Sequence, residues 1–84
     1  MTTLNHLKIG QTATIIEFTD EFLSRKFIEM GCIPGEKIKL VTIAPFGDPI
    51  AIEVSGYLLS MRKEEASTVV VKLNPENNVA NCDV

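Results

Sequence analysis

The residues able to do chemistry are few and scattered. The nitrogen and sulfur donors are one histidine, His6, and two cysteines, Cys32 and Cys82. Zinc sites draw Cys and His ligands from closely spaced pairs. These three positions share no such spacing, which leaves only a metal site assembled between chains. Glu64 and Glu65 offer the hard oxygen donors that suit iron, yet two adjacent acids behind Arg62 and Lys63 read first as a solvated charged turn. Arg62 is long enough to reach a phosphate, but beside two glutamates its ordinary use is a local pair, worth about 0–1 kcal/mol when exposed. No serine or cysteine has a base at an activating spacing. No Gly-x-x-x-x-Gly-Lys loop is present to cradle a phosphate. The chain is therefore read as not an enzyme, and no catalytic residue, cofactor or metal ligand is assigned.

Composition narrows the partners. Eight Lys and Arg against eleven Asp and Glu give a net charge of −3, so no basic footprint awaits a nucleic-acid backbone. With no Trp, one Tyr and four Phe, the chain lacks stacking platforms for single-stranded bases. It also lacks the aromatic-lined groove that polyproline recognition requires. Cys32 falls in a turn between helix and strand and Cys82 in a polar tail, so free thiols are expected rather than a disulfide framework. The start, Met1 to Leu7, has neither the basic region nor the apolar run of a signal peptide. No segment approaches a membrane span. A cytoplasmic protein is expected, reaching a membrane only through a partner.

These residues must be positioned by a small sheet, because the chain is punctuated by rigid corners. Leu4, Leu7 and Ile9 lead into Gly10. Residues 11–19, rich in Thr, Ile and Phe, suit a half-buried strand. Thr19 then serves as N-cap for a helix from Asp20 to Met30, with Asp20 and Glu21 in the first turn, where the dipole favours negative charge. Pairs Glu21–Arg25 and Arg25–Glu29 are expected on its outer face. Leu23, Phe27 and Met30 share the inner face, bordered by Phe22 and Lys26, and Gly31 ends the helix in a left-handed conformation. Ile33-Pro34-Gly35-Glu36 fits a type II turn.

Strands follow at residues 37–44 and 50–55, joined by the proline-bracketed tip Pro45-Phe46-Gly47-Asp48-Pro49. After Gly56 comes another strand through Tyr57, Leu59 and Met61, then one helical turn at residues 63–67 and a last strand at 68–73. Apolar periodicity stops at Asn74, so residues 74–84 are expected to form a mobile tail behind a domain of residues 1–73. Five or six short strands, one α-helix after the first strand and a helical turn before the last describe an all-β fold, a small SH3-like barrel.

Three motifs in order make the pattern specific. They are Met30-Gly31-Cys32-Ile33-Pro34-Gly35-Glu36, then Ala44-Pro45-Phe46-Gly47-Asp48-Pro49-Ile50, then Gly56-Tyr57-Leu58-Leu59-Ser60-Met61-Arg62-Lys63-Glu64-Glu65-Ala66. Together, over Leu7 to Leu73, the chain resembles the FeoA family, small cytoplasmic proteins of bacterial ferrous iron uptake. The barrel also looks like the C-terminal domain of iron-dependent repressors, but the helix-turn-helix of those repressors is missing, and that reading is set aside.

The resemblance implies an accessory protein that binds the cytoplasmic GTP-binding part of the FeoB ferrous iron permease. The alternative is a carrier or sensor that binds iron or another transition metal itself. The partner contacts expected are Leu23, Lys26 and Phe27 on the helix, with Phe46 and Asp48 at the tip. Two bland readings stand beside them: the Leu23–Phe27–Met30 stripe as core, and Phe46 folded back on the barrel. Cys32 and Phe46 replace residues that are commonly Met or Leu, and Leu, in the family. Weak homo-oligomers through a sheet edge or Cys82 are the remaining association considered.

Overall fold

A computed structural model describes residues 1–75. Its elements are β1 (Thr2–Thr3), a 3-10 turn (Leu4–His6), β2 (Thr12–Phe18), α1 (Glu21–Glu29), β3 (Lys37–Ile43), β4 (Ile50–Val54), β5 (Tyr57–Met61), α2 (Lys63–Ala66) and β6 (Val69–Leu73). The strands form one antiparallel sheet in the order β1-β6-β2-β3-β4-β5. The mainly β, SH3-like architecture expected from the corners is what forms.

Two register irregularities bend the sheet around its core. One lies between Ile15 and Glu17 opposite β6, the other between Leu40 and Thr42 opposite β4. An extra residue in one strand increases local twist, which lets so short a sheet curl over a single core. That core gathers Leu4, Leu7, Ile15, Phe27, Ile38, Leu40, Ile52, Val54, Val69 and Val71 with Cys32. The alternation read in β4 holds: Ile50, Ile52 and Val54 point inward and Glu53 outward. At the β4–β5 corner, Ser55 (φ 50°) and Gly56 (φ 83°) both take positive φ between the paired residues Val54 and Tyr57. This is the two-residue hairpin whose twist matches the strands it joins.

Helix α1 starts one residue later than Thr19 would have capped it. Thr19 N–H still donates to Thr68 O (2.8 Å), continuing the β6 pairing, so Asp20 becomes the N-cap and its carboxylate accepts from Leu23 N (2.9 Å). At the other end Gly31 has φ 91°, with Gly31 N donating to Ile28 O (3.1 Å) and Cys32 N to Phe27 O (2.9 Å). That pair of bonds is the Schellman cap, which uses up carbonyls the helix leaves orphaned. A Cβ at residue 31 would also lie 3.1 Å from the Tyr57 hydroxyl, a close contact that adds to the conformational preference for glycine. The turn after it closes through Glu36 N to Ile33 O (2.9 Å) and is fastened to β2 by Gly35 N to Ile15 O (2.7 Å).

Several features add to the sequence reading or correct it. Thr2–Thr3 were assigned to no element, yet β1 pairs with β6 at Val70 and Val71. Of the residues leading into Gly10, Leu4 and Leu7 are buried and Ile9 is exposed. The ion pair that forms, Lys26–Glu65 at 2.8 Å, joins α1 to α2 instead of running along α1 through Arg25. Asn74, placed in the tail, is fastened to β2: its N–H donates to Thr12 O (3.2 Å) and its side-chain carbonyl accepts from Thr14 Oγ1 (2.9 Å). The rest of the expected tail, residues 76–84 with Cys82, lies outside the described residues.

Candidate docking surface

Of the five side chains expected to meet a partner, the structure binds two to α2, Lys26 and Asp48, leaves Phe46 exposed and withdraws Phe27. Phe27 is 1% exposed and stacks on Phe18 with ring centroids 5.8 Å apart. It belongs to the core, because a Phe four residues after Leu23 and three before Met30 sits at the centre of the inward stripe. Its expected partner contact is corrected on that ground. Leu23 is half-buried and packs against the same core, so only its rim is presented.

Phe46 takes the opposite position and is fully exposed, 100% by surface area. The alternative of folding back on the barrel is not what forms. Its backbone is held on both sides: Gly47 N donates to Ala44 O (2.7 Å), and Ala44 N donates to Pro49 O (3.0 Å). Asp48 extends this hold across the fold by accepting from Lys63 N, the first amide of α2, at 2.9 Å. Above Gly47, the open side of the backbone faces Lys63 Nζ, 3.6 Å from where a Cβ would lie. The tip therefore rests on α2.

Two residues further along α2, Glu65 ties the same short helix to α1. Its Oε2 accepts from Lys26 Nζ at 2.8 Å, and its Oε1 accepts from Arg62 N at 2.9 Å. The Lys26 hydrogen bond and then the Arg62 amide hold the Glu65 carboxyl below the usual carboxylate range. Both oxygens are thus occupied, which argues for a structural use of this acid. Among the described residues no three His, Cys, Asp or Glu side chains come together in a way that would hold a metal ion. The Cys32 thiol is buried and its pKa is pushed up to about 11 by desolvation. It is a small apolar core residue, not a thiolate donor.

Several other exposed apolar side chains were assigned no contact from the sequence, Phe22 and Leu58 among them. Phe22 is 83% exposed and lies one helical turn before Lys26 on α1. Its spacing from Lys26 was the available signal, since i and i+4 share a face. An open depression of about 550 Å³ beside it is lined by Thr19, Asp20, Glu21, Phe22 and Arg25. Leu58 is 62% exposed on β5, the strand at one edge of the sheet.

The structure thus presents an exposed aromatic on a tip whose backbone is braced against α2, with α2 tied in turn to Lys26 of α1. Comparison with known families then decides the kinship: residues 2–73 match the FeoA domain. The chain belongs to the FeoA domain family.

Among relatives of this FeoA domain is the Fe(2+) transport protein A/Fe(2+) transporter FeoB fusion protein of Porphyromonas gingivalis. It is 33% identical over 75 residues, which are 88% of this chain and 9% of that protein. The chain thus spans about a tenth of the length of that curated relative. The solution structure of a FeoA-like protein from Clostridium acetobutylicum superposes with a TM-score of 0.81 at 37% identity, covering 86% of this chain and 85% of that one. Stenotrophomonas maltophilia FeoA complexed with zinc, a prokaryotic SH3 domain protein, superposes with a TM-score of 0.76 at 27% identity, covering 86% and 91%. No helix among the described residues of this FeoA domain is long and apolar enough to cross a membrane.

Proposed function

We propose that this FeoA domain is a non-catalytic accessory protein of ferrous iron uptake, working in the cytoplasm on the GTP-binding part of a FeoB-type permease. The observation that carries the reading is the relative in which a homologue of this chain and a FeoB transporter are one polypeptide. Covalent linkage of two modules raises their effective concentration for each other, and such fusions make sense for partners that act together. The surface we assign to the contact is the tip with Phe46, together with Lys26 on α1, which is bound to the same short helix α2 as the tip. An exposed aromatic on a braced loop loses little further freedom on docking, and its burial is where binding energy concentrates.

Titration of the labelled chain with the solubilised permease, in nucleotide-free, GDP-bound and GTP-analogue-bound states, tests the reading. Phe46→Ala is expected to weaken binding about 10- to 100-fold, the equivalent of one Phe side chain's burial. Absence of binding in every nucleotide state would end the proposal. A second reading, a transition-metal carrier or sensor, is favoured by the zinc complex of the Stenotrophomonas maltophilia protein. Anaerobic calorimetry with ferrous ion separates the two, because a carrier must take up the metal without the permease.

A further inference from the structure

We infer that Asp48 is a positioning residue for Phe46 rather than a contact with the partner, and that α2 acts as the splint against which the docking tip is set. This rests on the docking reading above. Four observations carry it. The Asp48 carboxylate is already committed, accepting the Lys63 amide at 2.9 Å across a sequence separation of 15 residues. The bond reaches the first residue of α2, where a helix amide has no partner within its own helix. The tip is closed internally by Gly47 N to Ala44 O at 2.7 Å, so fixing Asp48 fixes the loop that carries Phe46. The splint is itself anchored, since Glu65 binds Lys26 of α1 at 2.8 Å and Ala66 is buried in the core.

The consequence is a docking surface in two parts, the Phe46 tip and the Lys26 side of α1, both referred to one short helix. Without the Asp48 bond the tip keeps its internal turn but loses its outside reference. Phe46 then samples several directions, and the partner must order it at a cost in affinity.

The test uses the full chain as Asp48→Ala, Asp48→Asn and Phe46→Ala, with the Asp48→Ala/Phe46→Ala double variant, and reads two quantities. In the free protein, Asp48→Ala, which lacks the acceptor, is expected to speed hydrogen exchange at the Lys63 amide and to raise the fast backbone mobility of Phe46 and Gly47. Asp48→Asn, whose side-chain carbonyl can accept from the same amide, should restore most of the protection. In titrations with the solubilised permease, Asp48→Ala should weaken binding about three- to tenfold when Phe46 is present, and less than about twofold when residue 46 is Ala. Unchanged exchange and mobility in Asp48→Ala overturn the inference, as does an equal loss of affinity with and without Phe46, which would make Asp48 a direct contact. Should Phe46→Ala bind as tightly as the natural chain, the docking reading itself fails, while the exchange data still decide whether the splint exists.

Discussion

Phe27 and Phe46 are the same side chain put to opposite uses, one 1% exposed in the core and the other fully exposed on the tip. Their neighbours account for the difference. Phe27 lies on a helix whose apolar residues recur at helical spacing, so folding carries it inward with Leu23 and against Phe18. Phe46 lies between Pro45 and Gly47 in a loop with no period at all, and its backbone is held while its ring is left in water. A buried aromatic contributes to the stability of the fold. An exposed one on a braced loop contributes little there, which leaves its ring free for the docking proposed above.

The largest effect that would sharpen this contrast is on stability. Phe27→Ala should lose about 3–5 kcal/mol, enough to unfold much of a domain this small, whereas Phe46→Ala should stay within about 0.5 kcal/mol of the natural chain. Denaturant melts of the two variants read this directly, and comparable losses at both sites would break the division between core and tip.

Cys32 extends the comparison within the core. With its pKa raised to about 11 from 9.0 by burial, the folded state holds the neutral thiol. The contribution is complete below pH 9 and fades as pH rises toward 11. In a Cys82→Ser background, thiol labelling at pH 8 should therefore proceed only through unfolding and slow in step with added stability. Rapid labelling of the folded chain would show that Cys32 is open to solvent.

The smallest effect concerns Glu65, on the splint between the two regions. Its carboxyl is held down by Lys26 and by the Arg62 amide, so its contribution is present above the ordinary value of 4.5 and is lost as pH falls through the lowered one. Because the pair is partly exposed, at 48% and 19% for the two side chains, Glu65→Gln should cost no more than about 1 kcal/mol at neutral pH and low salt. The difference from the natural chain should shrink as pH falls below 4.5 and through the lowered value, and in high salt. A loss that is independent of pH would assign Glu65 a packing role instead.

Much of the fold was legible because glycine and proline act locally. Gly31 after Met30 forecast the helix cap, and Pro34-Gly35 forecast the turn that follows, since both conformations depend on the residue itself. The pairing of Thr2–Thr3 with β6 was not legible, because a two-residue strand carries no period and its partner lies some 70 positions away. The choice of Asp20 over Thr19 as N-cap was also hidden, being decided by the bond from Thr19 to Thr68 that continues the β2–β6 pairing.

At the candidate site, residue type pointed to the tip, but the roles depended on contacts between elements. That Asp48 meets Lys63, and Lys26 meets Glu65 at a separation of 39 residues, follows from the tertiary packing of these elements and from no local pattern. Phe22 was visible only as a neighbour of the inward stripe, and its exposure needed the helix to be docked.

The claim that the Phe46 tip meets the permease is tested most directly by placing a photoreactive benzoylphenylalanine at position 46 and, separately, at position 22, and irradiating each chain with the FeoB-type permease. The account predicts a crosslink from position 46 that maps to the GTP-binding part of the permease. A crosslink from position 22 alone, with none from position 46, would contradict it.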